Sequence, residues 1–183
     1  MPRDFKIETE RLIMREFSSD DVDGMFELNS DEEVIRYTGD TAFADKQTVL
    51  NLINGYEQYS KYKMGRWTVL LKSSGEYIGF CGLKYLSDIN ETDLGFRLMK
   101  KYWNKGYATE ASVATLDYGF DTLKLEKIVG RAATDNLRSL NVLQKLGMVF
   151  EKDFVAHRAC QQFRITQGAW RKQRELISAS KTN

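Results

Sequence analysis

Apolar positions along this chain switch between a period of two and a period of three to four, so strand-like and helix-like segments alternate. Residues 7–17 read as a first strand. Ser18 or Ser19 then offers an N-cap, Asp20 and Asp21 suit a helix's first turn, and Val22, Met25 and Phe26 follow at helical spacing. A short helix is expected over 31–37. Over 45–62, Val49, Leu52, Ile53 and Tyr56 recur at three and four, which predicts one amphipathic helix. Residues 66–72 and 77–86 form a hairpin around Ser73, Ser74, Gly75 and Glu76. Gly79 and Gly82, inside its second strand, mark a bulge or a close backbone approach.

The second half repeats the alternation. A strand is expected over 92–98, then a helix over 108–123 whose stripe is Val113, Leu116, Phe120 and Leu123. A strand over 127–133 precedes a short helix, 139–146, stopped by Gly147. Residues 148–155 and 160–166 can pair as a last hairpin, and the polar stretch 168–183 reads as a terminal helix that frays. The only proline is Pro2, and no linker or repeat divides the chain. The expectation is a mixed α/β, or α+β, single domain over 1–183, with its core at about 7–167 and a helical tail at 168–183.

Composition narrows the function classes. A chain of 183 residues buries about 70% of its unfolded surface and needs no metal or disulfide to fold. Lys and Arg number 27 against 26 Asp and Glu, a balance that argues against a nucleic-acid binder. The two cysteines, Cys81 and Cys160, and the lone His157 fall short of the about four ligands of a structural zinc site, so no metal is expected. No apolar run approaches the ~20 residues of a membrane span, and the first residues lack a signal-peptide core. The expected location is the cytoplasm.

The sharpest local feature is a strand, a glycine loop and a helix in succession, TDLGFRL followed by MKKYWNKGYATEA. A helix start presents unpaired N–H groups and a positive dipole end, and Gly106 removes the side chain that would keep an anion away. Lys101 and Lys105 add charge nearby. The stretch is neither a P-loop nor a dinucleotide fingerprint, because both glycine patterns are absent. A second feature, TDNLRSLNVLQKLGM, follows the 127–133 strand; there Asn136 can be a ligand-binding residue or a plain N-cap.

Together these segments resemble the GNAT acetyltransferases, and among them the ribosomal-protein N-terminal (RimJ/RimL-like) branch. IETERLIMREFSSDDVDGMFEL, GRWTVLLKSSGEYIGFCGL, DLGFRLMKKYWNKGYATEA, ATDNLRSLNVLQKLGM and FRITQGAWRKQ carry the resemblance in order along nearly the whole chain. It implies a mostly antiparallel sheet of six to seven strands, flanked by helices and splayed between its fourth and fifth, here 92–98 and 127–133. Acetyl-CoA would lie in that gap. Its pantetheine arm would pair with backbone near Leu98 and with Asn136, and its pyrophosphate would rest on N–H groups of Asn104, Lys105, Gly106, Tyr107, Ala108 and Thr109. Two positions depart from the wider superfamily: Trp103 replaces its Gln or Arg, and Leu143 replaces its frequent catalytic tyrosine.

The resemblance implies direct acetyl transfer in a ternary complex to a primary amine, foremost a protein or peptide N-terminus. An α-amine of pKa about 8 asks less of a base than lysine at about 10.4. Asp93 is the candidate base or amine anchor, against a plain edge-strand charge, and Ser139 the candidate acid for the leaving sulfur. His157 is expected at the surface beside a turn. Polyamines, aminoglycosides and amino acids are alternative acceptors, a non-catalytic acyl-CoA-binding module is an alternative role, and the assembly expected is a monomer or homodimer.

Overall fold

The computed structural model describes residues 5–180. The first expected strand is two, β1 (Lys6–Glu8) and β2 (Leu12–Arg15), so the sheet has eight strands rather than six or seven. The cause is Thr9: its hydroxyl accepts from Leu12 N at 3.0 Å and its own N–H donates to Leu12 O, closing a turn inside the expected strand. A tight turn at Ser19–Asp21 leads into α1 (Val22–Ser30), and α2 (Glu32–Ile35) follows, capped by Asp31.

The expected long helix over 45–62 is also broken, into α3 (Lys46–Asn54) and α4 (Gln58–Tyr62). Gly55 closes α3, and the break sends two tyrosines to one backbone position. Tyr56 OH accepts from Arg66 N at 2.8 Å, while Tyr59 OH donates to Arg66 O and accepts from Phe17 N.

Strands β3 (Arg66–Leu71), β4 (Tyr77–Leu86) and β5 (Glu91–Leu98) continue the antiparallel sheet, with a bulge where Val69 faces Gly79 and Leu70 faces Tyr77. Helix α5 (Tyr107–Asp117), extended by a wider turn over Tyr118–Thr122, crosses back to β6 (Lys127–Ala133). That crossover makes β5 and β6 parallel. Then come α6 (Leu137–Lys145), β7 (Val149–Val155), β8 (Ala159–Thr166) and α7 (Gln167–Ser180). The sheet order is β1-β2-β3-β4-β5-β6-β8-β7. β5 and β6 meet at only two register positions, Asp93 opposite Val129 and Leu94 opposite Gly130, and then part.

Strand alternation divides the sheet chemically. Trp67, Val69, Cys81, Leu83 and Ile128 lie on one face, buried against α5, where Cys81 meets Ser112 and Thr115. Register places Arg66, Lys84, Asp93, Gly95, Arg97 and Arg131 on the other. The C-terminal helix does not fray at its start. Trp170 is buried, its indole donates to Asp117 Oδ1 at 2.9 Å, and Arg174 donates to the same oxygen.

One buried carboxylate ties the first strands to the turn before α1. Asp21, 2% exposed, accepts from both terminal nitrogens of Arg15, from Ser18 N and from Thr68 Oγ1. Asp21→Ala leaves these donors without their acceptor and should destabilise the protein by about 3 kcal/mol. Lys61→Ala, which removes an exposed pair with Glu57, should leave stability nearly unchanged. Urea unfolding of the two variants measures the contrast.

Candidate active site

Two cavities open where β5 and β6 separate. The smaller, of about 370 Å³, is lined by Leu98, Asn104, Gly106, Tyr107, Ala108 and Thr109, with Asn136 and Ser139 opposite. The larger, of about 1090 Å³, holds Asp93. Tyr37, Thr38, Phe96, Arg97, Asn136 and Ser139 line both, so the two spaces meet at these residues.

Backbone geometry suits the smaller cavity to an anion. Gly106 caps α5 with φ +81°, and Asn104 also takes a left-handed conformation at φ 60°. Those bends turn the chain sharply into the helix, whose first N–H groups have no partner within it. A Cβ on Gly106 would come within 3.3 Å of the Arg11 guanidinium. Arg11 is a cation that the sequence reading missed. It donates to Lys105 O at 3.1 Å, lies over the Tyr107 ring, and donates to Glu110, the acid of the helix's first turn. Glu110 also accepts from Thr9 Oγ1 and Arg11 N. Burial pushes the Glu110 carboxyl up, but the bonds from Thr9 and Arg11 outweigh it and its pKa is lowered. The turn that splits β1 from β2 therefore clamps the loop.

The lysines stand differently from expectation. Lys101 pairs with Glu76 at 2.8 Å, and the Lys105 side chain lies near the Tyr102 ring, outside the cavity lining. The cationic side chains lining this cavity are instead Arg97, Arg138 and Lys145, with the Arg138 guanidinium 4.9 Å from the Trp103 ring centre. The Trp103 indole donates to Leu98 O at 2.7 Å and so pins the loop to the end of β5. Met99 N donates to Ile78 O, which by alternation turns the peptide groups of Phe96 and Leu98 toward the gap. With the Leu98 carbonyl engaged, Phe96 N–H, Phe96 C=O and Leu98 N–H are the backbone groups left to a ligand there.

Asn136 is an N-cap, its Oδ1 accepting from Ser139 N at 3.3 Å. It also borders both cavities, and its amide nitrogen takes no part in the capping bond. Leu143, where a tyrosine was looked for, is buried and fills the space beside Gly130. The phenol that does stand at the junction is Tyr37, in the turn after α2, which no periodic signal marked. His157 is exposed in the β7–β8 turn, as expected, although its ring reaches Tyr37 O at 3.2 Å and edges the larger cavity.

Asp93 is buried, only 8% exposed. One carboxylate oxygen, Oδ2, accepts from Arg66, whose guanidinium also donates to the carbonyls of Asp93 and Gly82. Gly95 allows this: a Cβ there would sit 2.3 Å from an Arg66 nitrogen. The other oxygen, Oδ1, is shielded from solvent and has no hydrogen-bond partner. Burial raises the Asp93 pKa, and the Arg66 charge and hydrogen bond only partly offset it. Such a carboxylate can receive a proton or hold an amine. Among the described residues, no group of three or more His, Cys, Asp or Glu comes together to hold a metal ion.

Residues 11–149 match the acetyltransferase (GNAT) domain family. The uncharacterized N-acetyltransferase p20 of Bacillus licheniformis is 31% identical over 147 residues, spanning 79% of this chain and 82% of that protein. A spermidine N(1)-acetyltransferase of Escherichia coli K12 is 22% identical over 143 residues, spanning 78% of this chain and 75% of the enzyme. Among solved structures, a GNAT-family acetyltransferase from Bacillus anthracis matches with a TM-score of 0.77 at 28% identity, covering 90% of this chain and 99% of that one. The matched stretch contains the loop, both walls of the gap and Asn136: this chain belongs to the GNAT family and is an N-acetyltransferase.

Proposed function

We propose that the protein takes the acetyl group from acetyl-CoA and passes it, in a ternary complex, to the N-terminal amine of a protein or peptide. The observation that carries this reading is the meeting of the two cavities at Asn136, Ser139 and Phe96, one floored by a helix start and the other containing a buried carboxylate. The smaller cavity fits the cofactor: N–H groups at Asn104 to Thr109 for the pyrophosphate, and Phe96 and Leu98 backbone with the Asn136 amide for the pantetheine arm. Acetyl-CoA supplies an activated thioester. Asp93 Oδ1 draws the proton from the incoming amine, directly or through a water, and Arg66 holds the carboxylate in place. A hydroxyl at the junction, that of Ser139, donates toward the leaving sulfur, and a gap-facing N–H of β5 polarises the acetyl carbonyl.

Resemblance to the ribosomal-protein N-terminal branch supports a peptide acceptor, and so does charge. The larger cavity is lined by Arg66, Lys84, Arg97 and Arg131 against Asp40 and Asp93. A polycation such as spermidine, the acceptor named for the Escherichia coli relative, meets net repulsion there.

Gly106→Glu strains a left-handed position by about 1 kcal/mol and sets a carboxylate at the helix start. Acetyl-CoA affinity should fall by at least about 100-fold, with a melting curve that remains cooperative; calorimetric titration showing retained affinity would remove the loop from the site. Asp93→Asn should lower kcat by about 100-fold, and acetyl-CoA affinity should change little. Steady-state kinetics with unaltered kcat would end its role as base. Ser139→Ala and Tyr37→Phe separate two of the three hydroxyls at the junction, that of Thr38 already donating to Ile35 O: Ser139→Ala should lower kcat by about tenfold and Tyr37→Phe should not, whereas the reverse order assigns the proton to Tyr37.

A further inference from the structure

The charges around the larger cavity do not cancel. Arg66 is paired with Asp93, and Arg97 is paired with Asp40 at 2.6 Å. Arg131 and Lys84 remain, and neither has a carboxylate partner among the described residues. Both act on Asp93 through space, and Lys84 is its direct register partner across the β4–β5 ladder. Arg131 sits on β6 two residues beyond Val129, which stands beside Asp93.

Arg131 is the more telling of the two. An arginine in the strand KIVGRAA, among small and apolar neighbours, is unusual in a buried strand. Its guanidinium lies over the Phe154 ring at 4.2 Å, a stacking contact that occupies a face and uses none of its N–H groups. Its Nε is shielded from solvent yet has no hydrogen-bond partner. A buried donor left this way costs free energy that a ligand can restore. A planar fork of donors is the natural partner of a carboxylate.

Asp93 Oδ1 is the complementary vacancy, a shielded acceptor lining the same cavity. One end of this space thus lacks a donor and the other lacks an acceptor of negative charge. We propose that Arg131, assisted by Lys84, binds an anionic group of the acceptor, so that the preferred substrate is an amine with a carboxylate close to it. The inference rests on the acetyl-transfer reading above and narrows its substrate class. The same two cations also disfavour an ammonium beside Asp93, which helps keep the bound amine neutral and nucleophilic.

A carboxylate near an amine occurs in an acidic peptide N-terminus and in a free amino acid, and the test separates these sources. Three peptides identical except for Glu, Gln or Lys at the second position are compared as acceptors, together with free glutamate and its α-amide. The Glu peptide should exceed the Gln peptide in kcat/KM by about tenfold, the Lys peptide should be poorest, and 0.5 M NaCl should shrink the gap. Arg131→Gln should bring the Glu-to-Gln ratio close to one. Lys84→Gln, at an exposed position, should lower it about threefold and tests the site even where Arg131→Gln does not fold.

Calorimetric titration of the acetylated Glu and Gln peptides onto the protein gives a readout without turnover, and the same order is expected. Turnover of free glutamate alone, lost in its α-amide and dependent on Arg131, would reject the peptide N-terminus and uphold the anion site. Equal use of Glu and Gln peptides, equal affinity for their products, or a preference for Lys would overturn it.

Discussion

Everything functional in this fold follows from the parting of β5 and β6 after Leu94. Two parallel ladder positions hold the strands together, and beyond them neither edge has the other for a partner. Open strand edges inside a protein demand other partners for their peptide groups. Part of that demand is met internally, by the Trp103 indole on Leu98 O. The rest is left facing the gap, where an extended chain of amides can complete the sheet. The same parting opens the passage between the cavity at the Gly106 loop and the larger cavity that holds Asp93, so a single break in pairing joins the two spaces in which we propose that cofactor and amine meet.

The acceptor side depends on a chain of contacts that begins far from it. Tyr56 and Tyr59 hold the backbone of Arg66 from both sides, its N–H and its carbonyl. Arg66 then reaches across the space that Gly95 leaves empty and engages one oxygen of Asp93. Because the arginine is fixed by its backbone, it orients the carboxylate through one oxygen only, and the second oxygen, shielded from solvent, is left without a hydrogen-bond partner. Burial raises the pKa of this group while Arg66 keeps it from rising further, a balance suited to a proton acceptor that must also let the proton go.

Much of this architecture was legible in the sequence wherever a local rule decides structure. The strand expected over 127–133 is β6 at its observed bounds, and the glycine before a helix marks the loop. Local rules fail where a distant partner wins. Thr9 cuts the expected first strand with a hydroxyl turn whose other partner lies about a hundred residues away, at Glu110. The periodic stretch 45–62 breaks because Tyr56 and Tyr59 serve β3, and the polar-looking C-terminal helix docks through the one indole of Trp170. At the site, the loop and Asn136 could be read from neighbours in the chain. Arg11 and Tyr37 could not, since they arrive from other elements; Arg131 did leave a sign, a charge inside a small-residue strand.

The clamp between the first hairpin and α5 has a consequence for how the chain assembles. Thr9 and Arg11 meet Glu110 across about a hundred residues of sequence, a separation that makes loop closure slow relative to local helix formation. The turn at Gly106 therefore has its scaffold in a contact of high sequence separation, which ties its final shape to the return of the chain's beginning to its middle.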